Sequence, residues 1–305
     1  MVRRFHRLRC VAAVAVGAMH LAVATAEPFP ATALPGTSLN SQIGNYEPSG
    51  LVWHPRLQRL FSVSDGSAAV PARVFSLTAP GTGLQYWEVA GDLEGITVAN
   101  PATDFVYVGT EQPNQIKEFN LTTGLVTRTF DLDPWMSGAS GSGLEALAFV
   151  TQAGHPEGGS FYAGLQDGGV IYRFSLPIVS STTSTAVSFL DSFAPVPGRS
   201  DLSGLDYDAS AGVLYAVYDG PNYLRAMTTA GDLLREWDLP GSNQEGVAVR
   251  AGDLFIAEDS GDIVRYAPFT AVPEPGMLAG AGAVAAAGLA WRVRRGRQRT
   301  VARKW

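Results

Sequence analysis

The chain contains 305 residues, of which 46% are hydrophobic, and its formal net charge is −6 at neutral pH. The first 26 residues and the segment from Arg292 onwards hold 4 and 7 basic residues and no acid, which leaves 11 basic and all 28 acidic residues between them, a formal charge of −17. This acidity excludes nucleic-acid binding through phosphate contacts and favours cationic partners.

The N-terminus has the three parts of a Sec-type signal peptide. Four arginines precede an apolar stretch over residues 11–23, and small residues follow at 24–26. We therefore expect residues 1–26 to be a signal peptide recognised by the Sec machinery, and residues 27–34 to be a linker. The only cysteine, Cys10, precedes the apolar stretch, so the exported part has no thiol for a disulfide.

A short sequence pattern recurs five times between the two ends of the chain. It consists of an acidic residue or serine, a glycine or alanine, and then alternating apolar residues. The five copies occupy residues 48–53, 93–98, 144–149, 202–207 and 244–249, and their small residues are spaced 42–58 positions apart. Each copy is followed by two further strand-like segments, and in four copies by a third.

Four short strands in each repeat predict an all-β fold, a β-propeller with five four-stranded blades over residues 35–270. The fifth repeat reaches Pro268 before a fourth strand can form. Residues 35–45 can supply that strand and close the ring, which removes its open edges. The third repeat is the longest, and its Ser/Thr stretch at residues 180–185 leaves open a degenerate sixth blade.

Acidic residues stand at equivalent places in several repeats. Glu94, Glu145 and Glu245 begin first strands, whereas Asp65 and Asp219 follow second strands. Because antiparallel strands bring these two places to the same rim, we expect the five side chains around one mouth of the central channel. Converging carboxylates repel one another unless a cation bridges them, and Ca²⁺ is the simplest such cation. The alternative is that each carboxylate caps backbone amides of its own blade and that no cofactor is bound.

The C-terminal segment, residues 271–305, has a composition of its own. Val272, Pro273, Glu274 and Pro275 precede an apolar stretch over residues 276–291 and a basic tail. This arrangement resembles the PEP-CTERM sorting signal of Gram-negative bacteria. The resemblance implies export across the inner membrane, anchoring by a short transmembrane helix, processing by exosortase, and delivery to the cell surface or extracellular space. The apolar stretch is shorter than the roughly 20 residues of a comfortable bilayer span, which suits a transient anchor.

The repeated segments also resemble a family. Leu-Ser-Gly-Leu-Asp-Tyr-Asp, Leu-Tyr-Ala-Val-Tyr-Asp-Gly-Pro-Asn and Asn-Gln-Glu-Gly-Val-Ala, at residues 202–208, 214–222 and 243–248, are similar to the SdiA-regulated family of extracytoplasmic propellers. The Glu-Gly-Ile type of repeat is similar to that of phytase-like and esterase-like propellers. The resemblance implies a propeller fold, and phytase-like relatives bind calcium and hydrolyse phosphate esters. One lysine and ten arginines between the two ends are few for a phosphate site.

These observations leave three functions open. The first, which the sequence favours, is a non-enzymatic module that binds a small ligand, an extracellular polysaccharide or a protein through its rim loops. The second is a Ca²⁺-dependent hydrolase of phosphoesters or lactones with its metal at the acidic rim. The third is a structural surface protein without a specific ligand.

Overall fold

The computed structural model shows twenty β-strands in five antiparallel sheets of four within the ranges that it describes. Those ranges are residues 29–44, 46–66, 70–139 and 141–270. The predicted signal peptide, the sorting motif at residues 272–275 and the predicted helix at residues 276–291 lie outside them. Inside them, no helix is sufficiently long and apolar to cross a membrane. The predicted all-β propeller with five blades is confirmed.

Each sheet is one blade, and its strands follow one another outward from the central axis. Blade 1 comprises β2 (Pro48–His54), β3 (Arg59–Ser64), β4 (Arg73–Leu77) and β5 (Gln85–Glu88). Blade 2 comprises β6 (Leu93–Thr97), β7 (Phe105–Thr110), β8 (Gln115–Asn120) and β9 (Leu125–Asp131). Blade 3 comprises β10 (Leu144–Thr151), β11 (Gly159–Leu165), β12 (Ile171–Ser175) and β13 (Ser188–Phe193).

The remaining two blades follow the same plan. Blade 4 comprises β14 (Leu202–Asp208), β15 (Val213–Tyr218), β16 (Tyr223–Met227) and β17 (Leu233–Asp238). Blade 5 comprises β18 (Gln244–Arg250), β19 (Asp253–Glu258), β20 (Asp262–Ala267) and, outermost, β1 (Thr32–Ser38). Two short helical turns, Asn40–Ile43 and Asp167–Gly169, lie in connections.

The ring is closed by the N-terminal strand, as predicted, but that strand lies earlier in the chain than residues 35–45. Strand β1 pairs with β20 from Thr32 opposite Ala267 to Ser38 opposite Asp262. The strand ends there because the side chain of Asn40 turns the chain inward: its Oδ1 accepts a 2.6 Å hydrogen bond from the backbone N–H of Tyr46. The following segment therefore enters blade 1 and does not extend blade 5.

The blades pack face to face, so the apolar core lies between them. Every residue of β11 is buried, because this strand has a neighbouring blade on each face. The outer strand β13, in contrast, is exposed or half-buried along its length. Between blades 2 and 3, the rings of Tyr107 and Phe161 meet edge to face with centroids 4.9 Å apart.

The long third repeat contains an ordered loop and no sixth blade. The loop, residues 176–187, joins β12 to β13 without a strand of its own. The guanidinium of Arg128 in blade 2 donates a 2.8 Å hydrogen bond to the carbonyl oxygen of Ser181. The Glu157 carboxylate accepts a 2.6 Å hydrogen bond from the backbone N–H of Val179. Because neighbouring elements satisfy the polar backbone groups of the loop, it needs no strand partner.

The small residue of each repeated pattern lies where first strands of adjacent blades meet at the axis. A Cβ atom added at Gly50 would lie 2.7 Å from the carbonyl oxygen of Glu94, and one at Gly95 would lie 2.9 Å from the backbone nitrogen of Leu147. At the closing joint, a Cβ at Gly246 would lie 2.9 Å from the backbone nitrogen of Leu51. These backbones approach so closely that a methyl group does not fit without a shift of a strand.

Gly50→Ala should therefore destabilise the ring by about 1–3 kcal/mol, the usual cost of overpacking a well-packed interior. In a domain of this size that corresponds to a fall in Tm of about 2–12 °C, measurable by scanning calorimetry. Ala146→Gly, at the equivalent position of blade 3, is the matched control, and it should cost less than about 1 kcal/mol. Wild-type stability of the Gly50→Ala variant would contradict the tight joint.

Candidate functional site

A β-bulge begins the first strand of every blade and determines where the predicted site residues point. In each blade, the pairing of the first and second strands changes register at the repeated pattern. A bulge inserts an extra residue and re-aims its side chain. The residues at the five bulges are Glu94, Glu145 and Glu245 in blades 2, 3 and 5, and Ser49 and Ser203 in blades 1 and 4.

Two of these glutamates, from neighbouring blades, interact directly. The Glu94 and Glu145 carboxyl groups share a hydrogen bond, which requires a proton on one of them. Burial raises the pKa of Glu145, which is 8% exposed, and the negative charge of Glu94 raises it further. Burial also raises the pKa of Glu94, although a hydrogen bond with Ser49 opposes that shift. This pair therefore holds a proton at neutral pH.

Of the other three predicted residues, Asp65 and Glu245 act electrostatically on this pair, and Asp219 acts on Glu245. Burial raises the pKa of Glu245 to about 8, with further contributions from the charges of Asp259 and Asp219. Burial likewise raises the pKa of Asp65 to about 6 and shifts that of Asp219 upward. The Asp65 charge acts on Glu94, and the Asp219 charge acts on Glu245. The structure thus brings Glu94, Glu145, Glu245, Asp65 and Asp219 together, and we call this group the acidic mouth.

Backbone capping accounts for some acids of the rim and not for others. Asp219 Oδ1 accepts a 3.0 Å hydrogen bond from the backbone N–H of Gln244 in the next blade. Glu111, just outside the mouth, similarly accepts a 2.8 Å hydrogen bond from the backbone N–H of Gly143. In the described part of the chain, no backbone N–H donates to the three bulge glutamates. Their carboxylates therefore do not cap the backbone of a neighbouring blade, as those of Asp219 and Glu111 do.

The bulge glutamates also lack a positive partner. The described arginines that form ion pairs with acids do so elsewhere, for example with Glu118 and Glu236 on outer strands. No three His, Cys, Asp or Glu side chains of the described ranges are already arranged to hold a metal ion. The donors of the acidic mouth are hard oxygen atoms, which suit Ca²⁺ or an ammonium group. The calcium site stays a prediction.

A second concavity, which we call the opposite mouth, lies at the other end of the channel. Between the two mouths the axis narrows to a void too small for a water molecule. Beyond it, a cavity of about 360 Å³ is lined by the ends of the five first strands, including Trp53, Asp206 and Arg250. The Arg250 guanidinium lies 4.2 Å from the centroid of the Trp53 ring. Burial raises the pKa of Asp206 to about 7.

Reasoning from the sequence missed the opposite mouth, although a signal for it was present. Two positions after the small residue of the pattern, four repeats have an uncharged residue and the fourth repeat has Asp206. The uncharged equivalents are Val52, Thr97, Ala148 and Ala248. Asp206 is thus the one charged residue among five equivalent positions. The repeat by itself does not explain this charge, which therefore indicates a local function.

Comparisons with known proteins support the two predicted resemblances. Residues 191–265 match the model of the SdiA-regulated family, and residues 271–295 match the PEP-CTERM protein-sorting motif. The first match covers blade 4 and part of blade 5, and the second includes the predicted motif at residues 272–275. A PEP-CTERM motif indicates an exported protein that exosortase sorts. No curated protein matches the chain.

Solved structures share the fold at low sequence identity. The crystal structure of Myxococcus xanthus glutaminyl cyclase is 15% identical, with a TM-score of 0.55 over 80% of this chain and 100% of the other. Virginiamycin B lyase from Staphylococcus aureus is 14% identical, with a TM-score of 0.42 over 73% and 66% of the two chains. A streptogramin B lyase is 16% identical, with a TM-score of 0.41 over 72% and 64%. At this identity, the likeness to glutaminyl cyclase shows a shared fold and nothing about activity. The TM-scores of the two lyases are too low to support a conclusion about this chain.

Proposed function

We propose that this chain is a non-enzymatic binding module of the cell surface or extracellular matrix, and that its acidic mouth receives a positively charged group of the ligand. The observation that supports this proposal is that three glutamates from three separate blades, one buried and two half-buried, act on one another electrostatically without an ion pair to any described Arg or Lys. Burial raises the pKa values of all three, and neighbouring negative charges raise them further; a cation at this place would stabilise the ionised carboxylates.

The side chains around the acidic mouth favour binding over catalysis. The two bulge serines are engaged in structural hydrogen bonds: Ser49 interacts with Glu94, and Ser203 Oγ donates a 2.7 Å hydrogen bond to the carbonyl oxygen of Gln244. His54 ends the first strand of blade 1 at the opposite mouth, where it packs against Phe61. The acidic mouth thus combines carboxyl groups with occupied hydroxyl groups, a set that holds a cation more readily than it activates a nucleophile.

The proposed route to the surface follows from the two ends of the chain. The signal peptide would direct residues 27–271 through the Sec machinery, and the apolar stretch at residues 276–291 would anchor the chain until exosortase acts. The arginines that follow would stay on the cytoplasmic side. A strongly acidic body outside the membrane then meets cations and cationic groups of surface polymers, the ligands that the acidic mouth suits.

Cation binding should raise the melting temperature of the protein. We expect CaCl₂ or a primary diamine to stabilise the full chain at pH 8, by about 2.7 kcal/mol when the ligand stands at one hundred times its Kd. Glu245→Gln and Glu145→Gln should each raise the Kd for the cation at least tenfold, because each removes one of the three carboxylates. Asp238→Asn, which neutralises an exposed acid of β17, is the control and should respond as the wild type does. A melting temperature that neither cation changes would refute the proposal.

The hydrolase is the second candidate, because the purely oxygen donor set suits Ca²⁺, and a metal-bound water is a nucleophile. Its test is turnover of a nitrophenyl phosphate and of a γ-lactone, with Ca²⁺ and with a chelator. Calcium-dependent turnover that disappears in Glu145→Gln would establish the hydrolase and overturn the non-enzymatic proposal. If the protein shows neither turnover nor cation binding, the structural surface protein is the remaining alternative.

A further inference from the structure

The opposite mouth has the size and lining of a small-ligand site. Its volume of about 360 Å³ falls within the roughly 300–1,000 Å³ of such sites. Its apolar wall includes Trp53 and Tyr207, and its charged side chains are Asp206, Asp208 and Arg250. Aromatic walls with a few convergent polar groups are the usual composition of a pocket that recognises a small molecule.

The unlike charges of this cavity do not neutralise one another. In the described ranges no ion pair involves Arg250, whose guanidinium lies over Trp53 instead. Asp206 Oδ2 accepts a 2.7 Å hydrogen bond from the backbone N–H of Val249, and Asp208 Oδ1 accepts a 2.8 Å hydrogen bond from that of Ser210. Arginine and carboxylate pair strongly when they are within reach. Here the arginine and the two acids border one cavity, yet the guanidinium contacts an aromatic ring and the carboxylates accept hydrogen bonds from backbone N–H groups.

A structural role explains the hydrogen bond of Asp206 but not its charge. In blade 2 the equivalent residue, Thr97, makes the same connection: its Oγ1 accepts a 3.0 Å hydrogen bond from the backbone N–H of Phe149 in the next blade. A hydroxyl group therefore suffices for the joint. Asp206 is only 8% exposed, and burial of a carboxylate costs more than burial of a hydroxyl. The carboxylate at this position is accounted for if it receives a positively charged group.

We propose that the opposite mouth binds the zwitterion of a small amino acid, with the ammonium group at Asp206 and Asp208 and the carboxylate at Arg250. A zwitterion satisfies both charges of the cavity, whereas a simple cation would leave Arg250 unpaired and a simple anion would leave the two acids unpaired. The Trp53 ring holds the planar guanidinium in place, which favours a bidentate contact with a carboxylate. The aromatic wall then contacts the ligand side chain.

This site is independent of the acidic mouth. The void on the axis, lined by Gly50, Gly95 and Ala146 among others, does not admit a water molecule, so no ligand passes between the two ends of the channel. Amino-acid binding at the opposite mouth and cation binding at the acidic mouth therefore have separate readouts, and either can fail without the other.

The test is calorimetric titration of the full chain, purified in mild detergent, with glycine, alanine and leucine. N-acetyl-leucine lacks the ammonium group, leucinamide lacks the carboxylate, and glucose lacks both charges. We expect at least one free amino acid to bind, and we expect the two capped forms to bind at least tenfold more weakly or not at all. The proposal would be overturned if none of the three amino acids binds, or if a capped form binds as tightly as the free amino acid. Binding of glucose but not of the amino acids would also overturn it.

Variants assign the binding to the residues of the cavity. Arg250→Ala and Asp208→Asn should each weaken amino-acid binding at least tenfold. The asparagine keeps the acceptor for the backbone N–H of Ser210, so this variant should retain its fold, and its melting temperature checks that it does. Asp238→Asn, in the same blade but exposed on its outer strand, should bind as the wild type does. Unchanged binding by both Arg250→Ala and Asp208→Asn would refute the site.

Discussion

Arg128→Met should lower the free energy of unfolding by about 3–5 kcal/mol, because it leaves a buried carboxylate without its positive partner. The side chains of Arg128 and Glu118 are 4% and 5% exposed, and Arg128 Nε donates a 2.9 Å hydrogen bond to Glu118 Oε1. Burial opposes ionisation of Glu118, but hydrogen bonds from Arg128, Thr127 and Tyr107 outweigh it and keep its pKa below the usual range. Chemical denaturation of the purified protein measures the loss.

The matched control is the corresponding pair of the next blade. Arg173 and Asp191 also face each other on the third and fourth strands, yet their side chains are 28% and 48% exposed. Solvent screens this pair, so Arg173→Met should cost no more than about 1 kcal/mol. The double variant Glu118→Leu with Arg128→Met should recover part of the loss, since no buried charge then remains. Equal costs for Arg128→Met and Arg173→Met would contradict the role of burial.

Arg128 also holds the loop of blade 3, so the same variant should show a local effect. Its guanidinium donates 2.8 Å hydrogen bonds to the carbonyl oxygens of Pro177 and Ser181. Without them, residues 176–187 should become the first site of cleavage by proteinase K. Cleavage of this loop at the same rate in the wild type and in Arg128→Met would show that Glu157 alone holds it.

The protein should lose stability as the pH rises from 5 to 9 in the absence of divalent cations. The native pKa of Glu245 is about 8, above the ordinary glutamate value of 4.5, and those of Glu94 and Glu145 are raised as well. At a pH between the ordinary glutamate pKa and the raised native pKa, the folded state keeps protons that the unfolded state has released. The free energy of unfolding therefore falls as the pH rises through this range. We expect a loss on the order of 3 kcal/mol, at about 1.4 kcal/mol for each pKa unit and discounted for partial solvent access.

Glu145→Gln should flatten this pH dependence, because glutamine stays neutral and can still donate a hydrogen bond to Glu94. The variant should match the wild type near pH 5 and exceed its stability at pH 9, as measured by urea unfolding at the two pH values. Asp238→Asn changes the same charge on an exposed edge and should leave the slope unaltered. A Glu145→Gln variant with the wild-type slope would show that the glutamates of the acidic mouth do not repel one another.

The blades themselves were predictable from the chain, because strand pairing within a blade is local. Each first strand meets its second strand through a short turn, as Pro48–His54 meets Arg59–Ser64, and the pattern of apolar residues marks both. The end of the closing strand was not predictable, since a single side chain, Asn40, turns the chain away after Ser38. The loop at residues 176–187 was equally uncertain because its partners are distant in sequence: Arg128 belongs to β9, and Glu157 to the turn between β10 and β11.

The sequence by itself determined the propeller architecture, with a sixth blade left open, and the sorting motif, and it predicted acids at one rim, because a repeated pattern places equivalent residues at equivalent positions around an axis. Only the tertiary structure decided which of those acids have backbone partners and which do not, since the capping bond of Asp219 joins two blades. It also decided that Asp206, Arg250 and Trp53, which are distant in sequence and belong to different repeats, border one cavity. Distances between blades follow from the packing of whole sheets, and no local pattern of residues contains them.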